Sequence, residues 1–267
     1  MICDSHFHVF GPAERYPYAG DLRYRPPAAP LSEYLNEAKK LGIDRYVFVQ
    51  PSAYGRDNAC LLDAMREVGP ARCRGIVDID ENASDATLRD LDAAGVRGVR
   101  VNVNPIKPPE PGFATSMLPR ISRLDARCSE LGWMLDFLTP GWLTRQLLPT
   151  FAKLASPFSI AHMGLFPAKD GVPRDFVEFV KHHPRCWVKL TGVYRISTAS
   201  GFADAAPLAQ ALIAAIPDRL IWGSDYPHLS FGHVPTDELF GLLKSWAPDA
   251  AARRRILEDN PARLFGF

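Results

Sequence analysis

The sequence predicts a (β/α)8 barrel, a single domain over residues 1–267, and three observations predict it. Eight short apolar, β-branched or aromatic runs alternate with segments of helical period. Most runs are almost continuously apolar, as parallel strands covered by helices are. Several helical segments stop at a glycine just before the next strand (Leu41-Gly42-Ile43, Ala94-Gly95-Val96 and Leu131-Gly132-Trp133), where a left-handed residue closes a helix. A barrel of this kind takes about 250 residues. The alternative, an open doubly wound sheet, lacks its Gly-x-Gly-x-x-Gly after a strand.

In chain order, a first strand is expected over Ile2–Phe10. A proline-rich stretch from Pro12 to Pro30 follows, too long for an ordinary βα loop and therefore a candidate lid. A helix over Leu31–Leu41 leads to a strand at Arg45–Gln50, and Asn58–Val68 to one at Cys73–Ile79. Ala83–Ala94 precedes the fourth strand, Val96–Val103, after which Asn104–Gly112 forms a second stiff, proline-rich loop. Helix Leu118–Leu131, strand Trp133–Leu138, helix Leu143–Leu154 and strand Phe158–His162 come next. Helix Arg174–His183 ends on His182 and His183, suited to the dipole and to solvent. Strand Trp187–Gly192, helix Ala203–Ile216 and strand Leu220–Asp225 complete the set, and a closing helix runs from Asp249 to Glu258. Both proline-rich loops would sit on the C-terminal face, where barrel active sites lie.

With 31 basic and 30 acidic residues, no overall field attracts nucleic acid or an anionic membrane, so an anionic ligand must be held by local arginines. The five cysteines, Cys3, Cys60, Cys73, Cys128 and Cys186, are odd in number and contain no Cys-x-x-Cys. That argues against a disulfide framework or a thiolate zinc site and fits a reducing, cytoplasmic setting. No run approaches a membrane span, and no secretory signal opens the chain.

The chemistry begins at Asp4-Ser5-His6-Phe7-His8. Residues two apart in a strand share a face, so His6 and His8 aim at one spot. Two later strands end in ionisable groups, at His162 and Asp225. Three histidines and an aspartate converging on a barrel mouth make a catalytic constellation.

These residues, with Gln50-Pro51-Ser52, Arg97-Gly98-Val99-Arg100-Val101-Asn102, His162-Met163-Gly164, Lys189-Leu190-Thr191-Gly192-Val193-Tyr194-Arg195 and Ile221-Trp222-Gly223-Ser224-Asp225-Tyr226-Pro227-His228, resemble the amidohydrolase superfamily. Within it they are similar to the branch of 2-pyrone-4,6-dicarboxylate lactonase. The resemblance implies hydrolysis of a small carboxylated lactone, with Asp225 as general base and His6, His8 and His162 as oxyanion donors. It further implies Arg100 and Arg195 as carboxylate forks, with Tyr24 and Ser52 lining the pocket. The branch has a further arginine where this chain reads Ile106, with Lys107 adjacent, so Lys107 replaces it or the substrate lacks a second carboxylate.

Metal is the open point. His6, His8, His162 and Asp225 could hold one Zn²⁺. Yet strand four brings a cation, Arg100, and strand five, Met134-Leu135-Asp136-Phe137-Leu138, offers no histidine. The expectation is a metal-free lactonase. The alternatives are a mononuclear zinc hydrolase or nonoxidative decarboxylase and, less favoured, a non-catalytic binder of acidic metabolites. His228 could orient Asp225, Tyr54 could touch ligand or merely pack, and His233 has no assigned direction. Oligomeric state is not legible.

Overall fold

A computed structural model describes all residues except 21, 23, 104–106 and 230–233. Eight parallel strands lie in sequential order: β1 (Ile2–Phe7), β2 (Ile43–Val49), β3 (Cys73–Val77), β4 (Val96–Asn102), β5 (Met134–Leu138), β6 (Phe158–Ile160), β7 (Cys186–Leu190) and β8 (Leu220–Trp222). The helices are α1 (Leu31–Lys40), α2 (Ala59–Val68), α3 (Asp85–Ala93), α4 (Phe113–Leu131), α5 (Gly141–Phe151), α6 (Arg174–His182), α7 (Ala206–Ala215), α8 (Thr236–Trp246), α9 (Ala250–Arg254) and α10 (Asn260–Phe265). This alternation is the barrel that the sequence predicts.

The ring closes between β8 and β1 through backbone bonds just beyond the strands. Asp225 N–H donates to the His6 carbonyl at 2.8 Å, and His8 N–H to that of Tyr226 at 2.8 Å. The buried Asp4 carboxylate adds a stitch by accepting from Ser224 N–H at 3.0 Å, His6 N–H at 3.0 Å and the Tyr34 hydroxyl at 2.9 Å. Burial still raises its pKa to about 6 against those bonds. Gly223 permits the seam, because a Cβ there would lie 2.6 Å from the His6 backbone nitrogen.

Four differences from the sequence reading have physical causes. Strands β6, β7 and β8 end earlier than expected, since the chain leaves the ladder: His162, Gly192 and Asp225 all have φ near +55° (53°, 56° and 57°), while β1 and β3 also stop short of the expected Phe10 and Ile79. Helix α4 starts at Phe113, with Pro119 inside it rather than at its start. Helix α8 was not expected; Gly241 interrupts its pattern, although Asp237 and Glu238 in its first turn and Leu239, Leu243 and Trp246 on its buried side were legible. The closing helix passes through a π turn at Arg255–Asp259 and continues as α10.

The Pro12–Pro30 segment is tied at its base by a bridge between Phe10 and Ala29. Tyr54 belongs to this packing: its hydroxyl accepts from Gly11 N–H, and its ring meets Phe10 and Tyr18. The five cysteines are buried and free. No helix among the described residues is long and apolar enough to cross a membrane.

Candidate active site

Asp225 follows β8 in a left-handed backbone conformation, which costs a non-glycine residue energy and persists only where its surroundings fix it. Its Oδ1 lies 3.4 Å from His6 Nε2, 3.4 Å from His8 Nε2 and 3.9 Å from His162 Nε2. Its Oδ2 accepts from the Tyr194 hydroxyl at 2.5 Å and from Arg195 Nε at 3.0 Å. The three imidazoles and the carboxylate thus meet at one point, from β1, the loop after it and the turns after β6 and β8.

The Oδ1 contacts are long for hydrogen bonds. His6 Nε2, His162 Nε2 and Asp225 Oδ1 are buried with no hydrogen-bond partner among the described residues. Polar atoms that converge without partners mark a place for a reacting group.

Burial keeps the rings neutral. It pushes His162 down to about 3, His6 well below its ordinary value and His8 below it as well. For Asp225 burial acts in the opposite sense and raises the carboxyl. The Arg195 guanidinium, at 3.0 Å, outweighs it and holds Asp225 well below the usual carboxylate range.

Each ring has a partner on its far nitrogen. His8 Nδ1 lies 2.7 Å from the Val49 carbonyl and His162 Nδ1 lies 2.7 Å from the Thr191 hydroxyl. His6 Nδ1 lies 3.1 Å from the Lys189 ammonium. The approach of Thr191 requires Gly192, where a Cβ would lie 2.4 Å from His162 Nδ1.

Arg100 is buried on β4, donates to the Gln50 carbonyl at 2.7 Å and lies 3.7 Å from Asp136. Burial lowers the pKa of its guanidinium, and the carboxylates of Asp136 and Asp225 act against that. Tyr24 and Ser52 meet each other, hydroxyl to hydroxyl, at 3.2 Å. Arg195 also walls a cavity of about 770 Å³ formed by the loops after β5, β6 and β7, with Trp142, Leu165 and Phe166. Lys107 is exposed, with its ammonium 4.7 Å over the Phe113 ring and its carbonyl accepting from Trp142. Ile106 and His233 lie outside the described residues.

Sequence reasoning assigned no role to Asp136, Lys189, Thr191 or Tyr194. Lys189 and Asp136 pair at 2.9 Å with no solvent exposure, and Ser159 donates to the same Asp136 oxygen at 2.5 Å. The available signal was a charge inside an otherwise apolar strand, rarely buried without a partner. Among the other histidines, His228 donates its N–H to the Asp225 carbonyl at 2.9 Å, and His182 and His183 cap the end of α6.

An amidohydrolase family model matches residues 3–267. The chain belongs to the amidohydrolase family. It is 39% identical to a 4-sulfomuconolactone hydrolase of Hydrogenophaga intermedia, over 98% of this chain and 88% of that one. It is 30% identical to a 2-pyrone-4,6-dicarboxylate hydrolase of Comamonas testosteroni, over 98% and 89%. A structure described as a probable 2-pyrone-4,6-dicarboxylic acid hydrolase from Acinetobacter baumannii, with citric acid bound, superposes with a TM-score of 0.85 at 26% identity, over 100% and 99% of the two chains.

The same fold also accommodates zinc: an amidohydrolase from Burkholderia multivorans with bound zinc matches at a TM-score of 0.72 and 22% identity, over 100% and 99%. Here the donor atoms of His6, His162 and Asp225 lie within 4.8 Å of one another. By position these three fit a metal ion; His8, outside that group, has the carbonyl behind it that a metal-binding imidazole uses. His6 does not fit: its outer nitrogen faces an ammonium, where a ligating histidine meets a carboxylate or carbonyl.

Proposed function

We propose that this enzyme hydrolyses a small anionic lactone, of the 4-sulfomuconolactone or 2-pyrone-4,6-dicarboxylate kind, without a resident metal. One observation carries the reading: a single carboxylate oxygen, Asp225 Oδ1, faces three neutral imidazoles beside two arginines. The names of its relatives supply the substrate class.

Asp225 is the general base. A water between Asp225 Oδ1 and His8 Nε2 donates to both and turns its lone pair to the lactone carbonyl. His8 therefore departs from its expected part as an oxyanion donor. The Val49 carbonyl accepts the proton on Nδ1, so a neutral His8 has only a lone pair at Nε2. As the water oxygen bonds to the carbonyl carbon, its proton passes to Asp225 and the carbonyl electron pair moves onto oxygen, facing His6 and His162. Collapse of this tetrahedral intermediate breaks the ring C–O bond. The departing ring oxygen takes the proton back from Asp225.

Arg100 and Arg195 receive the anionic groups of the substrate, bordered by Tyr24 and Ser52. Lys107 is a secondary contact from the rim. In the free enzyme Arg195 holds Asp225 at low basicity. A substrate anion that shares Arg195 weakens that hold and makes Asp225 a stronger base. Binding the correct charge thus activates the base.

The test is ultraviolet loss of each lactone with purified, chelator-treated enzyme. Ring opening without added metal supports the proposal. Activity lost on chelation and restored by Zn²⁺ would instead support the zinc reading, which the converging donor atoms favour. Failure to open either lactone rejects the substrate assignment.

A further inference from the structure

We infer that Lys189 is a positioning residue that fixes the tautomer of His6, putting the ring's single proton on Nε2 and aiming it at the reacting carbonyl. The inference rests on the metal-free reading and deepens it.

Lys189 Nζ has three neighbours: Asp136 Oδ1 at 2.9 Å, His6 Nδ1 at 3.1 Å and the Ser5 carbonyl at 3.5 Å. An ammonium has three protons and no lone pair, and a carboxylate and a carbonyl only accept. Each neighbour therefore takes one proton, and His6 Nδ1 is an acceptor. Burial lowers the pKa of the Lys189 ammonium, and the Asp136 carboxylate at 2.9 Å works against that loss, itself held below its ordinary range by Lys189 and Arg100, so the pair stays ionic. A neutral imidazole with an accepting Nδ1 has its proton on Nε2.

His8 is the mirror case. Its Nδ1 faces a carbonyl, so its proton is on Nδ1 and its Nε2 is a lone pair. The two rings of one His-x-His pair thus hold opposite tautomers, 5.1 Å apart, around the same carboxylate oxygen. His6 donates to the developing oxyanion, and His8 accepts from the attacking water. A metal at His6 would need the lone pair that Lys189 has moved to the other nitrogen.

The experiment is long-range proton–nitrogen correlation NMR on chelator-treated protein carrying ¹⁵N-histidine, with His6 assigned by its loss in His6→Gln. The expected spectrum has a bare Nδ1 and a protonated Nε2 on His6, and the reverse on His8. A protonated Nδ1 on His6 overturns the inference. Lys189→Met alone strands Asp136, so the companion variant is Lys189→Met with Asp136→Asn. There His6 should lose its fixed Nε2–H form, and kcat should fall by about 10²-fold, as for one lost oxyanion donor, with KM little changed. A double variant keeping that form and the parent kcat also overturns it. The wild-type spectrum needs no turnover, so a fixed Nε2–H with no lactone opened would support the tautomer and reject the substrate reading.

Discussion

Met134 and Asp136 are one pleat apart on the same face of β5, as are Trp187 and Lys189 on β7. Below that step lies an apolar layer, Cys3, Val47, Val49, Ile76, Met134, Trp187 and Ile221, closed from beneath by Phe265 of α10. Above it the same strands present ions: Asp136 against Lys189, Arg100 near Asp136, and His6 on Lys189. The change takes two residues, about 7 Å along a strand. The lower layer is stabilised by burial alone and can change without altering charge. The upper layer keeps charges out of water only because each has a counter-ion, and atoms such as Asp225 Oδ1 and His6 Nε2 are left for a reactant.

The largest effect that would break this contrast is on turnover. Asp225→Asn should lower kcat by about 10³-fold, the weight of a general base, while the substrate still binds. Stopped assays together with calorimetric titration measure both. A near-normal rate would remove Asp225 from the chemistry.

A second pair of variants weighs the layers against each other in stability. Lys189→Met leaves the buried Asp136 carboxylate with Arg100, 3.7 Å away, as its remaining cation and should cost about 3–5 kcal/mol, most of it recovered when Asp136→Asn is added. Met134→Ala, in the lower layer, should cost about 2–5 kcal/mol as a cavity and leave kcat alone. Denaturant titration and steady-state rates measured together decide this. If the two layers had equal weight in catalysis, Met134→Ala would lower kcat as Lys189→Met does.

Arg100 sharpens the upper layer's other role, recognition. Arg100→Met should raise KM for an anionic lactone by roughly tenfold to a hundredfold, the loss of one hydrogen bond to a charged group. An unchanged KM would make its hydrogen bond to Gln50 and its ion pair with Asp136 its whole purpose.

The contrast also explains what the sequence could tell. Apolar runs and glycine stops mark the barrel because they report layers set by burial, and those layers repeat. His6, His8, His162 and Asp225 were legible because ionisable groups stand out at the ends of apolar strands. The sequence could not show how far each strand runs: left-handed residues at His162 and Asp225 end the ladders early, and that depends on packing across the seam at Gly223. Nor could it show partners. Lys189 stood in a quoted motif, but its tie to His6 joins residues 183 positions apart and emerges only on closure. The expected donor role of His8 was set without its Val49 partner, which the sequence does not show. Helix α8 was a different failure, since its pattern was present and a central glycine masked it.

The smallest effect concerns acid. His6, His8 and His162 have folded pKa values below their ordinary, unfolded ones, so near pH 6.5 the unfolded chain binds protons that the folded chain refuses. Stability should therefore fall as the pH drops through 6.5, by up to about 1.4 kcal/mol per pH unit for each histidine. Asp4 acts in the opposite sense. Its folded pKa of about 6 lies above its unfolded one, so below pH 6 the folded state takes up a proton first and part of the loss is offset. With three histidines set against one aspartate, the decline should steepen from about pH 7 to below pH 6, Asp4 cancelling about one proton of it. Scanning calorimetry from pH 7.5 to 5 checks the shape, and His162→Asn should reduce the slope by one proton. A melting temperature independent of pH, or rising as acid is added, would show that the imidazoles accept protons in the fold and so could not form the neutral cluster around Asp225.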